Sequence, residues 1–310
     1  MVPVKQFLLG GQRAWYHDEG HAAGYFHTYD EFRHPGSLFH SRKLTVFLPR
    51  CYEDGRQHHP VIYVNDGDTA FFPGGVKYQT LDIANTLARS FGRHPTRQPI
   101  VVAVHPIDRN REYTHVPWYG PSCCELCQYA DYLAGPLKSF VDRWYRTCPE
   151  PEQTMVLGWS HGGLAAFYTA CHRPDAFRMA AAMSPSFWVG LDDSESFPQV
   201  LPRPHRTLRD SDLVQTAAST LAAPLCRPRI YLDWGLVRTG GSHNEQVEER
   251  AATRGAEMAA LLKEQFGYRV GYDLVVREDP NGDHTELSWA RRIDGIMNIF
   301  DAWRGDLLCN

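Results

Sequence analysis

Met155-Val156-Leu157-Gly158-Trp159-Ser160-His161-Gly162-Gly163-Leu164-Ala165-Ala166-Phe167 is an apolar β-run that stops at a glycine, passes through one serine and resumes as a helix. The pattern G-x-S-x-G carries meaning only in this strand-to-helix setting. There the serine sits on a sharp, strained turn. Side chains two positions before or after it would clash across the turn, so glycine is required at Gly158 and Gly162. The turn pushes the Ser160 hydroxyl out at the carboxyl end of a sheet. The N-terminal amides of the following helix point at the same place, and the His161 N–H is positioned to stabilise an oxyanion.

The neighbouring sequence repeats the strand–helix alternation. Short apolar runs bounded by turn residues occur at Leu44 to Leu48, Val61 to Val64, Ile100 to Val104, Met179 to Met183, Ile230 to Leu232 and Asp273 to Val276. Such runs suit strands buried on both faces. Helical patterns cover Tyr78 to Phe91, Leu126 to Tyr145, His161 to His172, Glu245 to Phe266 and Leu287 to Trp303. The alternation predicts an α/β fold, a mostly parallel sheet between two helix layers forming a three-layer sandwich. Nothing reads as an interdomain linker, so one domain is expected over 1–310. Residues 1–43 are an extension or leading strands, and 184–228 a lid or binding-loop insertion.

Composition narrows the function classes. The chain has 310 residues, 43% hydrophobic and 22% charged, with a formal net charge of −4. No basic run invites nucleic acid. No stretch approaches the roughly 20 apolar residues of a membrane span. The first ten residues lack the apolar length and small-residue cleavage site of a secretion signal, so a cytoplasmic protein with reduced thiols is expected. Cys124 and Cys127 have C-x-x-C spacing, which holds zinc when a second ligand pair lies nearby. The nearest downstream cysteine, Cys148, is alone. The cluster at Cys123, Cys124 and Cys127 is therefore read as loop and helix-start thiols, and no metal or organic cofactor is expected.

A serine hydroxyl needs a base. For a nucleophile on this kind of turn the partners follow in the order acid, then histidine. His284 is the one histidine beyond His243, and it lies in the turn-rich Asp279-Pro280-Asn281-Gly282-Asp283-His284-Thr285-Glu286 before the last helix. The acid is expected after the Ile230 strand. Asp233 stands at the strand end, and the next carboxylates are Glu245, Glu248 and Glu249, where acidic residues also suit a helix start.

These segments resemble the putative esterase family of α/β-hydrolases, which includes S-formylglutathione hydrolases, enterochelin-type siderophore esterases, feruloyl and acetylxylan esterases and mycolyltransferases. Arg42 to Pro49 is similar to the family's opening strand, with Pro49-Arg50-Cys51-Tyr52 as its P-x-x-Y turn. His59 to Gly67 resembles its second strand, here ending in Asp66-Gly67 rather than the usual His-Gly. Asp108 to Thr114 is similar to the Arg-x-x-x-Tyr-Thr loop, Ser184-Pro185-Ser186-Phe187-Trp188 to the Ser-Pro-Ser-x-Trp segment, and His284 with Trp289 to the closing His-x-x-x-x-Trp. The resemblance implies Ser160 as nucleophile, His284 as base, and the amides of His161 and Asp68 as the oxyanion hole. It implies a carboxylate soon after Gly235, which is missing here. Alignment of the following helix brings Glu249 nearest the expected place and Glu248 next.

The activity so implied is hydrolysis of a small-molecule carboxylic ester through an acyl-enzyme. The same Ser–His pair would serve an acyltransferase, and the missing acid leaves room for a catalytically silent binding module. Phe71, Trp118, Phe187 and Trp188 lie on loops expected to face the nucleophile and are the candidate substrate contacts.

Overall fold

The computed structural model describes residues 4–33, 41–75, 77–117, 124–192 and 207–307. Within them ten strands form one sheet. In chain order they are β1 (Lys5–Leu9), β2 (Gln12–His17), β3 (Gly24–Phe32), β4 (Arg42–Pro49), β5 (Val61–Val64), β6 (Ile100–Val104), β7 (Thr154–Trp159), β8 (Met179–Met183), β9 (Arg229–Gly235) and β10 (Leu274–Asp279). The spatial order is β1-β2-β3-β4-β6-β5-β7-β8-β9-β10. Strands β1 to β4 run as an antiparallel meander that joins β6 antiparallel. From β6 to β10 every pairing is parallel.

The helices are α1 (Gly67–Ala70), α2 (Ile83–Phe91), α3 (Arg109–Glu112), α4 (Leu126–Tyr132), α5 (Lys138–Trp144), α6 (His161–His172), α7 (Asp212–Leu221), α8 (Glu249–Glu264) and α9 (Glu286–Leu307). Alternate residues of the central strands feed two cores. Tyr63, Val156, Ala180 and Leu232 pack with α4 to α8 on one face. Ile62, Met155, Leu157 and Met179 pack with α2 and α9 on the other. This is the α/β-hydrolase three-layer sandwich, and its parallel half explains the uninterrupted apolar runs.

Three helical readings needed correction. Residues 78–82 are not helical, because Asp82 takes a left-handed φ of 50° just before α2. The pattern from Leu126 to Tyr145 is broken by a π-helical turn at Leu133–Leu137 that contains Pro136. Proline lacks the N–H an α-helix interior needs, and the wider turn absorbs it. A second π turn, His243–Glu248, precedes α8. The early strands β1 to β3 occupy residues 5–32, and part of 184–228, namely 193–206, lies outside the described residues. Among the described residues no helix is long and apolar enough to cross a membrane. Cys124 is disulfide-bonded, against the expectation of reduced thiols throughout. That expectation came from the lack of a recognisable secretion signal, which does not bear on a local pairing. Cys51, Cys127, Cys148, Cys171 and Cys226 are free.

Candidate active site

Strand β7 ends at Trp159 and α6 begins at His161, leaving Ser160 at φ 54° and ψ −123°. That region strains any residue with a side chain. A Cβ on Gly158 would lie 2.2 Å from the Gly162 carbonyl oxygen, and one on Gly162 would lie 2.7 Å from Asp66 Oδ2. Close approach across the turn thus demands Gly158, as the sequence predicts, while at Gly162 the neighbours are the Asp66 and Asn65 side chains rather than the turn.

His284 comes from the loop between β10 and α9. Its Nε2 is 3.0 Å from Ser160 Oγ, and its Nδ1 is 2.6 Å from Glu248 Oε2. An ionised carboxylate only accepts, so Nδ1 carries the proton and Nε2 offers its lone pair to the serine hydroxyl. The loop is held by the His284 N–H, which donates to Asn244 Oδ1 at 3.0 Å, and by the Trp289 ring packed edge-on against the imidazole at 4.9 Å. Asn244 and Glu248 are four residues apart in the π turn, so one segment grips both the backbone and the ring of His284.

The partner of His284 is Glu248, which corrects the first choice of Glu249. Glu249 points outward to Arg238. Glu245 is exposed. Asp233 is fully buried but engaged elsewhere, by Arg292 Nη1 at 2.7 Å and the Tyr231 hydroxyl at 2.8 Å. The second oxygen of Glu248, Oε1, accepts from the Ser184 hydroxyl at 2.8 Å and from the Gly235 N–H. Burial raises the Glu248 carboxyl, but hydrogen bonds from His284, Gly235 and Ser184 outweigh it and hold the group below its usual range. Burial comes first at Asp233 too, and there it wins, so that carboxyl is raised despite Arg292.

Ser184 was not singled out as a site residue by sequence. It follows β8 with φ 40°, and its hydroxyl also accepts from Trp289 Nε1 at 3.1 Å. Its N–H donates to the Asp233 carbonyl oxygen at 2.8 Å. One residue thus ties the acid and the histidine's aromatic neighbour through its hydroxyl and the end of β9 through its backbone N–H. The available signal was its place in the Ser-Pro-Ser-x-Trp segment.

A cavity of about 320 Å³ opens in front of Ser160 and His284. Asp66, Asp68, Lys77, Arg109, His243 and Glu286 line it with Trp159 and Trp289. Asp66 takes a left-handed φ of 53°, and its carboxylate receives both Arg109 Nε at 2.7 Å and Nη2 at 2.9 Å. Arg109 is therefore neutralised in place, and Arg111 turns away to Glu125. Asp68 follows in α1; it is exposed to solvent, yet partial desolvation first and Asp66 next raise its carboxyl. His161 opens α6, and its imidazole Nδ1 meets Ser186 Oγ at 3.0 Å. Burial, then Arg109 and His284, keep that ring well below the ordinary histidine range, hence neutral.

Three of the four aromatic candidates do not reach the cavity. Phe71 packs on Phe26 and Phe47 in the core under α2. Phe187 packs on Phe167, and Trp188 on the His161 ring. These loops turn inward at once, so their large apolar side chains complete the core rather than the mouth. Trp118 lies outside the described residues.

A ten-stranded α/β sheet with a strained serine between β7 and α6, facing a buried histidine and glutamate, defines a protein of the α/β-hydrolase class. The chain belongs to the putative esterase family, whose model matches residues 36–299. An uncharacterized protein YbbA of Bacillus subtilis (strain 168) is 24% identical over 159 residues, 48% of this chain and 58% of that protein. The chain's match thus spans a little over half the length of that curated relative. Among solved structures, an IroE-like serine hydrolase from Shewanella oneidensis superposes with TM-score 0.64 at 16% identity, over 89% of this chain and 80% of that one. A siderophore hydrolase EstA from Aspergillus nidulans gives 0.62 at 17% identity, over 91% and 97%. At such identities the likeness concerns the fold.

Proposed function

We propose that the protein is a serine-dependent carboxylic ester hydrolase acting through an acyl-enzyme on Ser160. The observation that carries this reading is the unbroken line from Ser160 Oγ through His284 to Glu248, at 3.0 and 2.6 Å. Membership of the esterase family supports ester hydrolysis as the general reaction.

In the first half-reaction Ser160 Oγ attacks the ester carbonyl as His284 Nε2 takes its proton. Glu248 holds the Nδ1 proton and stabilises the imidazolium without taking the proton itself. The carbonyl oxygen becomes an oxyanion held by the amides of His161 and Asp68, each worth roughly 10²- to 10³-fold in kcat in comparable sites. The tetrahedral intermediate collapses, and the alcohol leaves with the proton from His284. Water then attacks the acyl-enzyme as His284 takes its proton, and the second intermediate collapses to release the acid as His284 returns that proton to Ser160 Oγ. The substrate is a small-molecule ester that enters the cavity at Asp68, Lys77 and Glu286.

The test is intact mass after exposure to a fluorophosphonate probe. A single adduct on the parent chain, absent in Ser160→Ala and much slower in His284→Ala, is the expected result. A folded parent chain that takes up no probe would remove the reading and put the silent module in its place.

A further inference from the structure

Helix α6 begins at the nucleophile and ends at His172, about 18 Å away by helical rise. There it meets α4. Cys127 and Asp131 lie four residues apart on α4, so they share a face. The His172 Nε2 atom approaches both: it is 3.5 Å from Cys127 Sγ and 3.3 Å from Asp131 Oδ1. One donor atom from each of the three residues lies within 4.8 Å of the other two.

At most one of these contacts can be a hydrogen bond, because Nε2 either accepts from the Cys127 thiol or donates its single N–H to Asp131. An ion-paired N–H···O bond closes to about 2.7–2.9 Å. As edges of a coordination tetrahedron they fit. Bonds of about 2.3 Å to sulfur and 2.0–2.1 Å to nitrogen at the tetrahedral angle put S and N about 3.5 Å apart. Bonds of about 2.0–2.1 Å to nitrogen and oxygen put those two about 3.3 Å apart. We propose that Cys127, Asp131 and His172 form a binding site for a zinc-type divalent cation that clamps α4 to the end of α6, at a distance from the candidate active site and independent of it.

The donor set suits the ion. Thiolate, imidazole and carboxylate together favour zinc over magnesium or calcium, which prefer oxygen alone. Thiolate and carboxylate charges balance a divalent cation, and three protein ligands leave a fourth position for water. Cys127 is a free thiol. His172 is 26% and Asp131 52% exposed at the side chain, which leaves an entry path. The His172 ring is stacked on Tyr168 at 5.5 Å, which fixes its plane. Arg173 Nη1 donates to Asp131 Oδ1 at 3.1 Å, the kind of outer hydrogen bond a ligating carboxylate accepts, while its other atoms are held by Asp175 at 2.9 and 2.8 Å. The C-x-x-C pattern pointed at the right neighbourhood with the wrong partner, since the ligands beyond Cys127 are one turn on and 45 residues on.

The experiment titrates the full-length chain, with the Cys124 disulfide intact, with Zn²⁺ by calorimetry and with Cd²⁺ by ultraviolet absorbance, which reports thiolate ligation directly. The expected result is one equivalent bound, a thiolate-to-cadmium band, and a higher thermal midpoint with Zn²⁺. Cys127→Ser, His172→Gln and the milder Asp131→Asn should each weaken binding by roughly tenfold or more, with native circular dichroism. Cys226→Ser, which removes an exposed thiol elsewhere, should bind as the parent does. Absence of the band in the parent chain, or an unchanged affinity in Cys127→Ser or in His172→Gln, would overturn the site. None of these readouts depends on esterase activity.

Discussion

The two walls of the cavity are built on opposite principles. On the inner wall Ser160 and His284 are 8% and 6% exposed, with Glu248 at 0% behind them, and each is held by neighbours that are themselves buried. On the outer wall Asp68, Lys77 and His243 are exposed and Glu286 half-buried. None of Asp68, Lys77 and Glu286 closes an ion pair with another described residue. The inner wall spends rotamer freedom in advance, so its dipoles need no reorganisation when charge develops. The outer wall keeps its side chains solvated, which suits groups that meet a substrate in passing.

The largest effects should therefore come from the inner wall. Ser160→Ala is expected to lower kcat by roughly 10⁴- to 10⁶-fold on an ester panel, with the fold intact by circular dichroism. Glu248→Gln should follow at roughly 10⁴-fold, because an amide in that position turns the histidine to the wrong tautomer. Glu249→Gln, beside it in sequence, should stay within about twofold, since its partner Arg238 is a surface ion pair. Equal losses in Glu248→Gln and Glu249→Gln would erase the distinction between the walls at its sharpest point.

A smaller loss is expected one residue further back. Ser184→Ala removes one of two donors on Glu248 Oε1 and the acceptor for Trp289. A buried hydrogen bond to a charged group contributes about 1.5 kcal/mol, so kcat should fall roughly tenfold. Ser184 sits at φ 40°, where alanine is strained and glycine is not. Ser184→Gly should lose as much activity as Ser184→Ala while being folded without that strain. A fully active Ser184→Gly would show that the hydroxyl does not position the acid.

How much of this was readable follows from how each residue is placed. Ser160 and His284 announce themselves, one by its strand–turn–helix setting and the other by elimination along the chain. The acid was missed by one residue. A π turn takes an extra residue into the helix, so everything after it is rotated by about 100° from a regular helix, and the adjacent position faces the site. No propensity scale shows that turn. Strands β1 and β2 were hard to assign because β1, at the sheet edge, and β2 beside it carry mostly exposed or half-exposed residues, which lack a long apolar run. Phe71, Phe187 and Trp188 misled for a related reason: a large aromatic beside a motif looks like a pocket wall, yet here each completes the core.

The two buried carboxylates around Ser184 should also separate in their response to pH. Glu248 is lowered from 4.5, so its stabilising contribution is fully present above that value and is lost as pH falls through its folded value. Asp233 is raised from 3.8, so folding disfavours its charged form, and the folded state gains as pH falls through the raised value toward 3.8. Thermal midpoints from neutral pH downward should show the gap between parent and Glu248→Gln closing below about pH 4.5. The gap between parent and Asp233→Asn should move in the parent's favour as pH approaches 3.8 from above. Slopes of the same sign would mean that the two carboxylates share one environment.

The smallest effects belong to the outer wall. Lys77→Ala and Glu286→Gln change exposed or half-exposed charges at the cavity mouth, and single solvated charges contribute little. Each should move KM by about two- to fivefold and leave kcat unchanged, the signature of binding that is equal in ground and transition states. With an anionic ester, Lys77→Ala should raise KM and Glu286→Gln should lower it; with a cationic ester both signs reverse. Both shifts should shrink in high salt, because screening acts on exposed charges and hardly on the buried line. A drop in kcat of more than about tenfold in either variant, insensitive to salt, would place that residue in the chemistry rather than at the door.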